Sequence, residues 1–144
     1  MPRISLILQG FWVLGRPALT TLAVSAALTV PAQALDVNSF RAQHKLPPLS
    51  VSAVLSGVAY AHAQDMASRN HLDHNGFRER MGAVATTAAE NVLWGCADAD
   101  CAFRQWAKSP GHRRNMLMKG ISSYGLASAT AANGRRYWVL ELGN

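Results

Sequence analysis

Asn133-Gly134 lies between two apolar runs, Ile121 to Ala129 and Tyr137 to Leu142. Asn-Gly favours a tight reversal of the backbone, so the pair predicts two antiparallel strands joined there. The second run, Tyr137-Trp138-Val139-Leu140-Glu141-Leu142, lacks the clean polar alternation of a half-exposed strand. Such a strand needs cover on both faces. The chain before the hairpin must supply that cover, and its patterning is helical.

Asp36 can cap a short helix from Val37 to His44, and Pro47-Pro48 then forces an extended connection. Ser50 can cap a long helix from Val51 to about Arg69. Val51, Val54, Leu55, Val58, His62 and Met66 fall at steps of three and four, which places them on one face of it. Asn70 to Gly76 reads as a loop, and a short helix from Phe77 to Met81 stops at Gly82. Ala83 to Ala89 is small and bland and reads as a mobile lip with few anchors. Glu90-Asn91-Val92-Leu93-Trp94 is a short strand. Asp98 or Asp100 can cap the next helix, which carries Phe103 and Trp106. Ser109-Pro110-Gly111 ends that helix, and a further helical turn puts His112 near a helix start. Helices before, between and around the strands predict an α+β layered sandwich.

The first 34 residues pattern as a secretory leader. Arg3 and Arg16 are its charges, Pro17 to Val30 is apolar or small, and Ala32-Gln33-Ala34 fits a cleavage site. Cleavage leaves residues 35–144 as one domain of 110 residues, enough for one core. Two of the 14 basic residues leave with the leader, so 12 face 8 acidic residues and the net charge is +4. The pairs Arg78/Arg80, Arg113/Arg114 and Arg135/Arg136 are scattered rather than striped, so they read as solvated surface and nucleic acid is not an expected partner. Nothing after Leu35 is apolar for long enough to span a bilayer. An exported chain meets an oxidising compartment, where Cys96 and Cys101 are expected to form a local disulfide. A metal pair fits their spacing less well, since it is not C-x-x-C.

Several segments in order resemble one family. These are Phe40-Arg41-Ala42-Gln43-His44-Lys45-Leu46-Pro47-Pro48-Leu49, Ala61-His62-Ala63-Gln64-Asp65-Met66-Ala67, Leu72-Asp73-His74, Ala89-Glu90-Asn91-Val92, Trp106 through Asn115, and Tyr124-Gly125-Leu126-Ala127. Together they resemble the CAP domain of cysteine-rich secretory proteins, antigen 5 and plant pathogenesis-related proteins, and within it the bacterial branch. The resemblance implies a three-layer α-β-α sandwich with a small central sheet and a secreted or periplasmic home. It also implies a cleft of two histidines and two acids. His74, Glu90 and His112 match three of these, and Ser109 stands where the second acid falls.

Two imidazoles and a carboxylate suit a divalent ion such as zinc with an open fourth position. They equally suit a polar network that holds loops over the sheet without chemistry. No H-E-x-x-H is present, and Ser109 lies three residues from His112 across a Pro-Gly turn with no third triad member. Binding therefore ranks ahead of turnover, with an envelope ligand, a lipid or a protein as partner; a metal-dependent hydrolase and a purely structural envelope domain are the rivals. His62 is expected to be a satisfied core histidine, and His71 an exposed secondary candidate. Trp94, Trp106 and Trp138 are expected in the core or the cleft wall.

Overall fold

The structure is a computed structural model and describes residues 34–144; residues 1–33 of the expected leader lie outside them. Asp36 opens helix α1 (Val37–Gln43) through a capping box. Its carboxylate accepts from the Ser39 N–H at 2.7 Å, and Ser39 Oγ accepts from the Asp36 N–H at 3.0 Å. The chain then departs from expectation. Ser50 is not a cap: Ser50–Val51 form a short strand, β1, and Ser52 caps the long helix α2 (Ala53–Arg69), accepting from the Leu55 N–H at 3.2 Å. Pairing with a neighbouring strand takes Ser50 and Val51, so the helix starts two residues late. Val51 and Val54 are consequently exposed, and the buried stripe is Leu55, Ala59, His62, Ala63, Met66 and Ala67.

Helix α3 (Phe77–Gly82) and strand β2 (Ala88–Trp94) follow. Asp98 caps α4 (Ala99–Lys108), accepting from the Cys101 N–H at 2.8 Å. Ser109 both ends α4 and begins α5 (Pro110–Met116), with Pro110 where a missing N–H costs nothing. Strands β3 (Ser123–Thr130) and β4 (Arg136–Gly143) form the hairpin. Its loop is longer than a two-residue turn: Ala131 N–H donates to Arg135 O at 2.8 Å, and Gly134 takes a φ of 82°. Cys96 and Cys101 are disulfide-bonded, which pins the turn that carries the Asp98 cap.

The four strands lie in the order β1-β3-β4-β2, with β1 parallel to β3 and the other neighbours antiparallel. Strand β4 is central and buried on both faces. Trp138, Leu140 and Leu142 meet Val37, Phe40, Phe103, Trp106 and Met116 of α1, α4 and α5. Tyr137 and Val139 meet Ala59, Ala63, Met66 and Ala67 of α2. This is a three-layer α-β-α sandwich. Arg41 is buried and clamps the end of α5, donating to Met116 O at 3.0 Å, Met118 O at 2.9 Å and Pro47 O at 2.9 Å. Three carbonyls thus solvate one buried guanidinium and fix the end of α5 against α1.

Two further expectations are corrected. The Ala83 to Ala89 segment is not short of anchors. Thr86 N–H, Thr86 Oγ1–H and Thr87 N–H all donate to Asn144 Oδ1, at 3.1, 2.9 and 2.9 Å, and Ala88 and Ala89 already belong to β2. Trp94 is not core but half-exposed, with the Arg135 guanidinium 4.1 Å from its ring centroid, because it stands at the end of edge strand β2 beyond the cover of α2. Trp106 and Trp138 are buried as expected.

Candidate functional site

The pleat of β2 divides the work of Glu90 and Asn91, since neighbours on a strand face opposite ways. Asn91 faces α5, where its Nδ2–H donates to His112 O at 3.0 Å and its Oδ1 accepts from Asn115 Nδ2–H at 2.9 Å. Asn115 also donates to Glu90 O at 3.1 Å, on the outer edge of β2. Glu90 shares the other face with Val92 and points towards α2 and α3.

Glu90 is buried, and its carboxylate is held from three sides. His74 Nδ1–H donates to Oε1 at 2.6 Å, and Arg80 of α3 reaches Oε2 at 2.5 Å. His62 Nε2 stands 3.7 Å from Oε2 while donating to Asp73 O at 3.0 Å. Arg80 also bonds Asn75 O, so one guanidinium ties the His74 loop to the sheet. That loop is set by Asp73, which accepts from Arg69 Nη1–H at 2.8 Å and from the Asn75 N–H at 3.1 Å. The Arg69 guanidinium holds the Asp73 carboxyl below its usual range.

Glu141 is the direct cross-strand partner of Glu90 and is fully buried on the same face. Arg80 Nη2 lies 3.9 Å from its Oε1, too far for a direct hydrogen bond, and neither carboxyl oxygen has a donor. Burial raises the Glu141 pKa to about 9, and the neighbouring Glu90 adds to the rise. Glu141 therefore favours its neutral, protonated form at pH 7. Between pH 4.5 and about 9 the folded chain keeps a proton that the unfolded chain releases, so Glu141 stabilises the fold at low pH and loses that contribution as pH rises. Glu141→Gln preserves shape without the acid. Its melting temperature is expected to exceed the parent's at pH 8.5 and to approach it at pH 5; an equal difference at both values would sink this assignment.

The structure joins His74 and Glu90 directly. His112 is half-buried on α5, and burial together with the nearby His74 lowers its pKa. Its carbonyl is engaged by Asn91, whereas no hydrogen bond joins its ring to Glu90 among the described residues. Ser109 sits at the α4–α5 junction and makes no side-chain cap bond. His71 is exposed, 3.9 Å from Asp73. Arg80 pairs with the Glu90 carboxylate, and among the described residues no three His, Cys, Asp or Glu side chains are grouped to hold an ion.

His74, Phe77, Ala88, Ala89, Glu90, Asn115 and Met118 line a cleft of about 310 Å³ beside the outer edge of β2. The His74 side chain is 55% exposed at its rim. Sequence reading placed Arg80 on a solvated surface; it is instead a member of the buried cluster, because α3 turns it inward over β2. It also passed over Asn91, Asn115 and Glu141 as site residues. An acid inside the apolar run Val139 to Leu142 was the available signal for Glu141.

Residues 36–142 match the profile of CAP, the cysteine-rich secretory protein family. This chain belongs to the CAP family. The Bacillus subtilis protein YkwD is 28% identical over 116 residues, covering 74% of this chain and 45% of YkwD. The B. subtilis membrane protein YlbC is 29% identical over 103 residues, covering 65% of this chain and 30% of YlbC. The chain thus spans less than half the length of these curated relatives. An SCP-domain extracellular protein of Bacillus anthracis superposes with a TM-score of 0.60 at 27% identity, covering 72% of this chain and 37% of that one. An outer surface protein of Borrelia burgdorferi superposes at 0.67 with 16% identity, covering 75% of this chain and 86% of that one. The CAP domain here sits with the bacterial branch. Among the described residues no helix is long and apolar enough to cross a membrane.

Proposed function

We propose that this CAP domain is an exported binding module that takes a small ligand of the cell envelope in the cleft beside Glu90. The observation that carries the reading is the His74–Glu90–Arg80 cluster. Two part-buried contacts fix the buried Glu90 carboxylate, so the half-exposed His74 ring is held in one orientation at the mouth. Phe77 and Met118 supply apolar wall beside it, and Asn115 supplies a polar one. A site with one fixed polar anchor and apolar flanks suits a ligand with a polar head and an apolar body. The leader pattern of residues 1–34 supports export, as do the printed descriptions of the B. anthracis relative as extracellular and of the Borrelia protein as an outer surface protein.

NMR titration of residues 35–144 with decanoate and, separately, with muramyl dipeptide tests this. One probe is expected to shift the amides of His74, Phe77, Ala88, Asn115 and Met118 saturably. His74→Ala should weaken that binding at least about tenfold, the size of a lost, well-formed polar contact. Shifts with neither probe, in a folded protein that His74→Ala merely destabilises, would favour a structural role. Zinc titration by calorimetry is expected to show no stoichiometric uptake, since Arg80 already holds Glu90; tight uptake abolished in His74→Ala would restore the metal reading.

A further inference from the structure

The two outer strands of the sheet are finished differently. On the β2 edge Asn115 bonds one outward carbonyl, Glu90 O, whereas β1 covers β3 only at its beginning. Ser50 pairs with Ser123 and Val51 with Tyr124; the chain then turns away into α2. The bonds at that end fix which residues face outward. Ser50 N–H donates to Ser122 O at 2.9 Å and Ser52 N–H to Tyr124 O at 2.8 Å, so the even-numbered residues of β3 point their backbone away from β4. Leu126, Ser128 and Thr130 continue that register with no strand beside them among the described residues. Natural sheets guard such an edge with charge, proline or cover. Gly125-Leu126-Ala127-Ser128-Ala129-Thr130 carries neither charge nor proline.

A groove of about 590 Å³ runs beside this free edge. Tyr60, Gln64 and Ser68 of α2 line it together with Ser128, Thr130 and Arg136. Among the described residues no carboxylate lines it. Arg136 donates to Ala97 O at 2.6 Å but has no carboxylate within ion-pair distance among the described residues. Among the described residues, three of the four exposed large apolar side chains, Val51, Val54 and Tyr60, belong to β1 and α2, the elements flanking the edge. In the sheet register Ala129 lies four residues along β3 from Gly125, which is level with Glu141 and Glu90. At about 3.3 Å per residue the groove is roughly 13 Å along the strands from the Glu90 level.

We infer that the free outer edge of β3 is a docking edge for an extended, acidic peptide segment of a partner protein. The peptide adds a strand beside Leu126, Ser128 and Thr130 and places a carboxylate near Arg136. Backbone pairing supplies affinity, and the unpaired guanidinium selects acidic sequence at one end. Positive charge without a counter-charge among the described residues, on a chain of net charge +6, favours an acidic occupant over a second copy of this basic chain.

The test uses an acetylated eight-residue peptide of alternating valine and threonine ending in two glutamates, titrated into the protein. Binding is expected to slow amide exchange at Leu126, Ser128 and Thr130. Ser128→Pro removes one outward N–H while sparing the bonds to β4, which use odd-numbered residues, and is expected to weaken binding at least about tenfold. Arg136→Gln should weaken it about threefold or more and remove the preference over a peptide ending in two glutamines. Each variant must first show the parent's circular dichroism spectrum; should Ser128→Pro fail to fold, amide exchange on the parent and the Arg136→Gln comparison decide. Unchanged exchange at the three amides, shifts confined to the Glu90 cleft, or self-association through β3 in sedimentation would each overturn the inference. None of these results bears on ligand binding at His74.

Discussion

Gly125→Ala is expected to lower the melting temperature of the domain by about 10 °C or more, a loss of about 3 kcal/mol for a chain of this size. The cause is a backbone contact. A Cβ built on Gly125 falls on the Leu55 carbonyl carbon and the Ser56 nitrogen at the start of α2. Neither can rotate away as a side-chain tip would. Alanines 59, 63 and 67 continue the same close approach along α2, so the helix cannot lift at one end without opening its seam with Tyr137 and Val139. Gly57→Ala in the same helix is the control. Nothing lies within 4 Å of its Cβ position, and the helix interior favours alanine over glycine by up to about 1 kcal/mol. Thermal melts should therefore move in opposite directions for the two substitutions. A Gly125→Ala melt within about 2 °C of the parent would show that α2 does not sit so close to β3.

That contact also marks how far the sequence could be read. Asn133-Gly134, Ser109-Pro110-Gly111 and the caps Asp36 and Asp98 act within a few residues of themselves, and each placed its element within a residue or two. The lack of alternation in Tyr137 to Leu142 correctly required helices on both faces, because burial on two sides removes polar positions. Failure began where the deciding partner was distant. Ser50 and Ser52 are equally good caps by themselves; parallel pairing with Ser123 and Tyr124, some seventy residues away, decided between them. His74 and Glu90 were found through family order, and they do touch. Arg80 was missed because an arginine on a short helix looks solvated unless a buried acid is known to lie opposite. Glu141 was missed because its pairing with Glu90 is a matter of strand register, which no local pattern encodes.

Arg80→Met is expected to cost the domain about 3–5 kcal/mol, the range for breaking a buried ion pair from one side. Methionine keeps most of the length and apolar stem of arginine but removes its charge. Glu90 would remain buried with only His74 as a direct donor to its carboxylate, beside Glu141, whose burial already keeps it protonated. The loop carrying His74 would also lose its tie through Asn75 O, so its amides should exchange faster than those of the sheet. Adding Glu90→Gln should recover part of the loss, since a neutral amide needs no counter-ion; urea melts of the two single variants and the double give the coupling. A near-zero coupling would mean that Arg80 and Glu90 act separately and that the cleft is held by packing alone. A strong coupling would place the orientation of His74 under the control of a charge pair below it. Changes in salt concentration should leave that pair largely untouched, because it is shielded from solvent, while weakening exposed pairs such as Arg69–Asp65.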